Sequence, residues 1–412
     1  MSYKRKQWNE VLSIVSGKNQ KAVVNPNGRY PIYGSGGIMG YADDYLCEAG
    51  TTIVGRKGTI NNPIFVAERF WNVDTAFGVT PGEELNPKFL YYFCRHFNFK
   101  ELDKSTTIPS LAKRDLLAIE MPVPTLDEQG RIVARVEELF SELDNGVETL
   151  RKTKQQLAVY RQAVLKKAFE GIYTEQWRNE NRNDSPISDF NQIKKTNPVY
   201  KDTSGDENEI HLEMPKQWLS VRMGDVFDVE VGATPSRRMA EYWNGDISWV
   251  SSGEVHFNTI SQTNECITQN GLDHASTNMH PVGTIMLAMI GEGKTRGQAA
   301  ILNIPAAHNQ NTAAILVSKT PCQPKYIYYF LQLNYDHTRR VGSGNNQKAL
   351  NKERVRALRF PFASFAEQEM IVQEIESRMS VCDSIEKTVD TALQQAEAMR
   401  QSILKKAFES NL

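Results

Sequence analysis

Residues 288–295, Ala-Met-Ile-Gly-Glu-Gly-Lys-Thr, have the glycine, lysine and hydroxyl order of a phosphate-binding loop, with Ala288 in place of the first glycine. Such a loop works only where a helix starts at once, so that backbone amides and helix dipole converge on a phosphate. Here Arg296-Gly297-Gln298 intervenes, followed by the strand-like Ala299-Ala300-Ile301-Leu302. Nucleotide hydrolysis is not expected from that context. The seven histidines (His96, His211, His256, His274, His280, His308, His337) contain no HExxH or HxH pair. His274 and His280 are six residues apart, which does not put two imidazoles on one helix face. Five cysteines are scattered without a CxxC pair, so neither a zinc ribbon nor a disulfide framework is expected. The chain reads as one that performs no covalent chemistry.

What remains are polar and basic clusters beside glycines. The first half has Lys18 and Lys21, then Arg56 and Lys57 between Gly55 and Gly58, then Thr106 and Thr107 leading to Lys113. The second half has Thr234, Ser236, Arg237 and Arg238, then Lys294, Arg296 and Gln298, then Arg339-Arg340 and Asn345, Asn346, Gln347 and Lys348. Lysine and arginine reach phosphates and guanine edges, while Asn and Gln pair with adenine edges. Glycine lets the backbone come close to a groove or phosphate. One such cluster is as well explained by a solvated loop. Several of them in both halves favour DNA contact.

The elements that position these clusters are organised by a duplication. Residues 126–170 and 365–409 align without a gap at an offset of 239, with 18 of 45 positions identical. In the first copy Ile132, Leu139, Gly146, Thr153 and Tyr160 recur every seven residues. Val136, Leu143, Leu150, Leu157 and Val164 form a second row offset by four. The second copy gives Ile371, Arg378, Ile385, Ala392 and Met399, with Ile375, Cys382, Val389, Ala396 and Ile403. These are heptad seams, and they predict two long helices of roughly 65 Å that pair with each other. Fainter matches precede each copy. Lys6-Gln7-Trp8 matches Lys216-Gln217-Trp218, and Asn72, Thr75 and Ala76 match Asn309, Thr312 and Ala313. Pro87-Lys88 and Tyr91-Tyr92-Phe93 match Pro324-Lys325 and Tyr328-Tyr329-Phe330, and Leu111 and Lys113 match Leu350 and Lys352.

The expected architecture is α+β, with two globular domains of short strands alternating with two long helices that pack as an antiparallel coiled coil. The boundaries are a first domain over 1–125, a long helix over 126–171, a polar linker over 172–213, a second domain over 214–364 and a second long helix over 365–412. Lys+Arg number 48 and Asp+Glu 49, a net charge of −1, so no global basic field advertises nucleic acid and any DNA site must be local. No apolar run approaches the roughly 18 residues of a membrane span, and Met1-Ser2-Tyr3-Lys4-Arg5-Lys6 has no apolar segment behind it. A cytoplasmic location is expected.

The Glu128-Gln129 and Glu367-Gln368 helix openings, the Leu-Lys-Lys-Ala-Phe-Glu closings at 165–170 and 404–409, and Thr174-Glu175-Gln176-Trp177-Arg178 carry a family resemblance. With Met214-Pro215-Lys216-Gln217-Trp218 and Gly232-Ala233-Thr234-Pro235-Ser236, the sequence resembles the specificity subunits of type I restriction-modification enzymes over essentially its whole length. The resemblance implies two target recognition domains, each reading half of an asymmetric bipartite DNA site, with the helices as a spacer. It implies two modification (methyltransferase) subunits as partners, and it allows two restriction (translocase/nuclease) subunits. S-adenosylmethionine, ATP and Mg would belong to those subunits, leaving this chain without a cofactor. One departure is the start, which enters almost directly at Trp8 without the lead-in that precedes Trp218. The competing reading is a coiled-coil scaffold that binds proteins and lacks DNA specificity.

Overall fold

The computed structural model describes residues 3–194, 212–291, 293–340 and 350–409. The chain divides into two compact units, Met1–Lys154 with Lys387–Leu412, and Gln155–Glu386. Unit 1 opens with β1 (Arg5–Gln7), the single turn α1 (Trp8–Val11) and β2 (Leu12–Ser16). The hairpin β3 (Tyr30–Gly34) and β4 (Gly37–Ala42) comes next, then β5 (Thr51–Gly55), β6 (Ile64–Val66), β7 (Trp71–Asn72) and β8 (Ala76–Pro81). Helices α2 (Pro87–His96) and α3 (Lys113–Leu117) precede β9 (Glu120–Pro122) and the long α4 (Leu126–Phe169). Helix α2 starts where it does because the Asn86 side chain accepts from the Lys88 and Phe89 amides and Pro87 sets the first turn.

Residues 172–194, read from sequence as part of a polar linker, form α5 (Glu175–Glu180) and α6 (Pro186–Lys194). Two apolar residues three apart, Phe190 and Ile193, give α6 a face to bury against unit 2. Residues 195–211 of that stretch lie outside the described residues. Unit 2 continues with β10 (Leu219–Arg222), α7 (Met223–Val226), β11 (Val229–Val231), β12 (Trp243–Val250), β13 (Asn258–Ile260), β14 (Glu265–Ile267) and α8 (Gln269–Asp273). Strands β15 (Ile285–Ala288), β16 (Ala299–Leu302), β17 (Ala307–His308) and β18 (Thr312–Ile315) follow. It closes with α9 (Pro324–Leu333), α10 (Tyr335–Arg340), α11 (Lys352–Ala357), β19 (Arg359–Phe362) and α12 (Phe365–Phe408).

The two units share one topology. Unit 1 has sheets ordered β1-β9, β2-β8-β5-β6 and β4-β3-β7; unit 2 has β10-β19, β11-β18-β15-β16-β13 and β14-β12-β17. Among the described strands β13 is the one addition; it falls in sequence between β12 and β14, the equivalents of β3 and β4, and pairs with β16. In both units the end of the first strand is tied by one amide bond: Trp8 N donates to Ile119 O at 2.9 Å, and Met223 N to Leu358 O at 2.8 Å. Trp8 is therefore the counterpart of Met223, and Trp218 is the counterpart of Tyr3.

Side chains agree with that register. The Tyr3 hydroxyl donates to Glu128 at 3.3 Å, and Trp218 Nε1 donates to Glu367 at 2.7 Å. The two Lys-Gln-Trp triplets thus match in letters and not in place. A second match moves by one residue. Lys18 N donates to Asn72 O and Ala233 N to His308 O, so Asn72 corresponds to His308 rather than Asn309. At this crossing the backbone is so close that a Cβ on Gly17 would sit 1.9 Å from Val73 O, and one on Gly232 1.9 Å from His308 O.

The long helices both span 44 residues and begin and end at the expected offset. Within unit 1 Arg400 pairs with Asp144, and Lys154 Nζ with Asp390 at 2.8 Å. Within unit 2 Arg161 reaches Asp383 at 2.7 Å and Glu386 at 3.0 Å. These partners run in opposite directions, so the helices pair antiparallel. The row Val136, Leu157, Val164 and Ile375, Cys382, Val389, Ala396 is buried. The other row is only partly so, because two helices without a third bury one stripe: Tyr160, Ile385 and Met399 are exposed. The end of each long helix fills a core. Phe408 packs on Phe89 and Phe93 of α2 at 5.1 and 5.4 Å, and Phe169 packs on Tyr326 and Phe330 of α9 at 5.0 and 5.5 Å.

Candidate nucleic-acid interface

The corrected register brings the polar clusters into correspondence. The loop after β2 carries Lys18 and Lys21, and the equivalent loop after β11 carries Thr234, Ser236, Arg237 and Arg238. The loop after β5 carries Arg56 and Lys57, and the loop after β15 carries Lys294, Arg296 and Gln298. Arg56 N donates to Thr75 O and Met289 N to Asn311 O, while Leu111 N reaches Arg56 O and Leu350 N reaches Met289 O. The third cluster enters α3 in unit 1 with Thr106, Thr107 and Lys113, and enters α11 in unit 2. There Asn345, Asn346, Gln347 and Lys348 lie outside the described residues.

In unit 1 two of the three loops touch. Gly58 N donates to Pro109 O at 2.9 Å, and Lys57 bridges Ser110. Asp103 shapes the second loop by accepting from the Ser105 amide, the Ser105 hydroxyl and the Ser110 amide. Those bonds, the Ser105 hydroxyl foremost, hold the Asp103 carboxyl below its usual range. Thr106, Thr107 and Lys57 are left exposed together. Arg56 is half-buried, its guanidinium 5.7 Å from the Phe77 ring. Lys113 Nζ donates to Ile14 O at 2.7 Å, which ties it to β2. Lys18 and Lys21 are exposed, and the Lys18 carbonyl accepts from Trp71 Nε1 at 3.0 Å.

In unit 2 Arg237 lies over Trp243 at 3.7 Å and forks onto Glu265, with Nη2 to Oε2 at 2.8 Å. That hydrogen bond holds the Glu265 carboxyl below its usual range. Trp243 and Glu265, which position this guanidinium, had no signal in the sequence beyond being an aromatic and an acid some way downstream. Arg238 and Ser236 are exposed, and Thr234 Oγ1 donates to Gln310 at 2.6 Å. Lys294 is exposed and its carbonyl accepts from the Tyr335 hydroxyl. Arg296 departs from its expected role. It is 8% exposed and donates to Arg339 O at 3.0 Å, bracing α10. Gln298 is half-buried, with its carbonyl taken by Ala288 N. A turn and then β16 follow Ala288, so no helix presents its amides there.

Beneath these loops the units differ. Asn72 Nδ2 bonds Val15 O and Ala76 O, and its Oδ1 accepts from Cys47 Sγ at 3.3 Å. The equivalent pair in unit 2 is His308 and His280, with Nε2 to Nε2 at 3.0 Å. Burial, and then the adjacent His280, pushes His308 down to about 3. Among the described residues no group of three or more His, Cys, Asp or Glu is placed to hold a metal ion. No described helix is long and apolar enough to cross a membrane.

One frame used twice, with two described loops rewritten each time, defines a protein of two related domains. Residues 2–157 and 215–395 match the family described as the type I restriction modification DNA specificity domain, and the chain belongs to that family. It is 21% identical over 418 residues to the Escherichia coli type I restriction enzyme EcoDI specificity subunit, covering 100% of this chain and 89% of that protein. Its fold is similar to that of the HsdS subunit from Thermoanaerobacter tengcongensis, with a TM-score of 0.57 at 15% identity over 100% of this chain and 97% of that one. A chain from work on complex assembly and conformational transition of the type I R-M system reaches a TM-score of 0.71 at 15% identity, covering 100% and 98%. DNA-target recognition is general to this family, and its specificity subunits are non-catalytic and assemble with the other subunits of the system.

Proposed function

We propose that this chain reads a bipartite, asymmetric DNA target, one half through each unit, and that the paired long helices set the spacing and dock the modification subunits. The observation that carries this reading is the correspondence, among the described residues, of two polar loops on a common frame. Two domains of equal topology with different loop residues suit two different half-sites. The side chains offered to DNA are Lys18, Lys21, Arg56, Lys57, Thr106 and Thr107 in unit 1, and Ser236, Arg237, Arg238 and Lys294 in unit 2. Docking is supported by apolar side chains left open on the long helices: Val159 is 71% exposed, Val381 59%, Met399 54% and Tyr160 49%. S-adenosylmethionine, ATP and Mg are then needs of the partner subunits.

The test is single-molecule sequencing of the host genome for N6-methyladenine, with and without this gene. A split motif that vanishes on deletion supports the reading and gives both half-sites and the gap. If a partnered, expressed system leaves every methylated motif unchanged, the DNA reading fails.

A further inference from the structure

In unit 2 the surface made by the end of β19 and the first turn of α12 is covered by α6. Phe190 packs on Phe362 with ring centroids 5.7 Å apart, and Ile193 is buried in the core. Asp189 accepts from the Phe365 amide at 2.8 Å, and Asp184 takes the Ser364 hydroxyl. Unit 1 repeats that surface. The offset of 239 puts Val123, Thr125 and Leu126 where unit 2 has Phe362, Ser364 and Phe365. Among the described residues nothing covers them. Leu126 is 51% exposed, Val123 is half-buried, and with Lys4, Glu83 and Pro124 they line a groove of about 500 Å³.

The walls also say how the occupant must differ from α6. In unit 2 the flanking wall presents Thr320 and Pro321, close to Gln192. The matching wall in unit 1 presents Glu83 and Glu84, and Lys6 pairs with Glu84. Among the described residues Glu83 makes no ion pair. An occupant therefore needs a basic group where α6 has Gln192. Its other requirements follow from α6: a carboxylate for the first-turn amides of a 44-residue helix, and an aromatic and an aliphatic side chain three positions apart.

We propose that this groove is a docking site for a short amphipathic helix of a partner protein, with an acidic start, an aromatic–aliphatic pair three residues apart, and a basic side chain toward Glu83. The assignment is independent of the DNA reading.

The test appends a copy of residues 171–194 to the full chain after Glu409, with Gln192→Lys in the copy, so that the helix is present at high effective concentration. Amide hydrogen exchange is followed at residues 123–129. At least a tenfold slowing is expected. It should be lost when the appended copy also carries Phe190→Ser and Ile193→Ser, and lost again when the chain carries Leu126→Glu, an exposed position that folding tolerates. Equal exchange with and without the appended helix overturns the proposal, as does equal slowing by the serine control. Protection that grows with the concentration of the unmodified chain makes a second copy the occupant, and overturns the partner assignment.

Discussion

Glu367→Gln and Glu128→Gln change the same residue at the same place in the repeat, and they should differ several-fold in cost. Glu367 is almost fully enclosed, with 3% of its side chain exposed against 14% for its partner Arg178. Its carboxylate accepts from Trp218 Nε1 at 2.7 Å, from Thr174 Oγ1 at 2.7 Å and from Arg178 Nη1. Glutamine keeps one acceptor, turns an NH2 toward donors and leaves a guanidinium buried without its counter-charge. Breaking a buried pair in this way costs about 3–5 kcal/mol. Glu128 is 37% exposed, with Tyr3 Oη at 3.3 Å and Arg131 at 3.6 Å, and such a pair contributes less than about 1 kcal/mol. Native-state hydrogen exchange of the full chain in low denaturant resolves the effect by unit. Glu367→Gln should speed exchange of core amides in β15 and β18 by more than a hundredfold, while Glu128→Gln shifts those in β5 and β8 less than about sixfold. Equal shifts in the two units would refute the reasoning, because burial would then not be what separates them.

Acid should weaken unit 2 through its buried histidines. Burial lowers both His280 and His308, the latter to about 3, so below pH 6.5 the unfolded chain takes up protons that the folded pair refuses. Stability is full above that pH and falls on acidification by up to about 1.4 kcal/mol per pH unit from His308. His308→Asn, the residue of unit 1 at this place, should flatten the fall in a pH series of denaturant midpoints. In the assembled complex Lys57→Ala should lower the slope of log affinity against log salt by about one without changing the motif. Arg296→Ala should instead lower the melting temperature and leave that slope unchanged. Removing one heptad from each long helix shortens both by about 10 Å, and methylome sequencing should show recognition abolished or the gap between half-sites altered.

The two long helices were legible because helix spacing is local and 18 of 45 repeated positions coincide, although they end at Phe169 and Phe408, two and four residues short of the expected bounds. Only the pairing shows that Tyr160, Ile385 and Met399 stay open. The domains were harder. Strand register is fixed by hydrogen bonds to distant residues, so Trp8 and Trp218 could share a triplet while occupying different places. What the frame preserves between Tyr3 and Trp218 is a donor aimed at a glutamate, which two different side chains supply. The clusters themselves were visible as composition. Which members are spent inside the fold was not: Arg296 bonds a backbone carbonyl 43 residues away, and Lys113 bonds one 99 residues away.

Unit 1 is assembled from the two ends of the chain, with Leu404, Ala407 and Phe408 in the same core as Trp8 and Phe93. Vectorial synthesis therefore delivers most of that core long before its final piece. At ~5–20 residues per second, tens of seconds separate the emergence of Lys154 from that of Phe408. During this interval the ribosome holds a nascent first domain whose aromatic cleft around Phe89 and Phe93 is open. Unit 2 has no such wait, since Phe169 is made before the strands it completes. The later-made domain is thus the first able to close, and the earlier-made one waits for the last turns of α12 to finish folding.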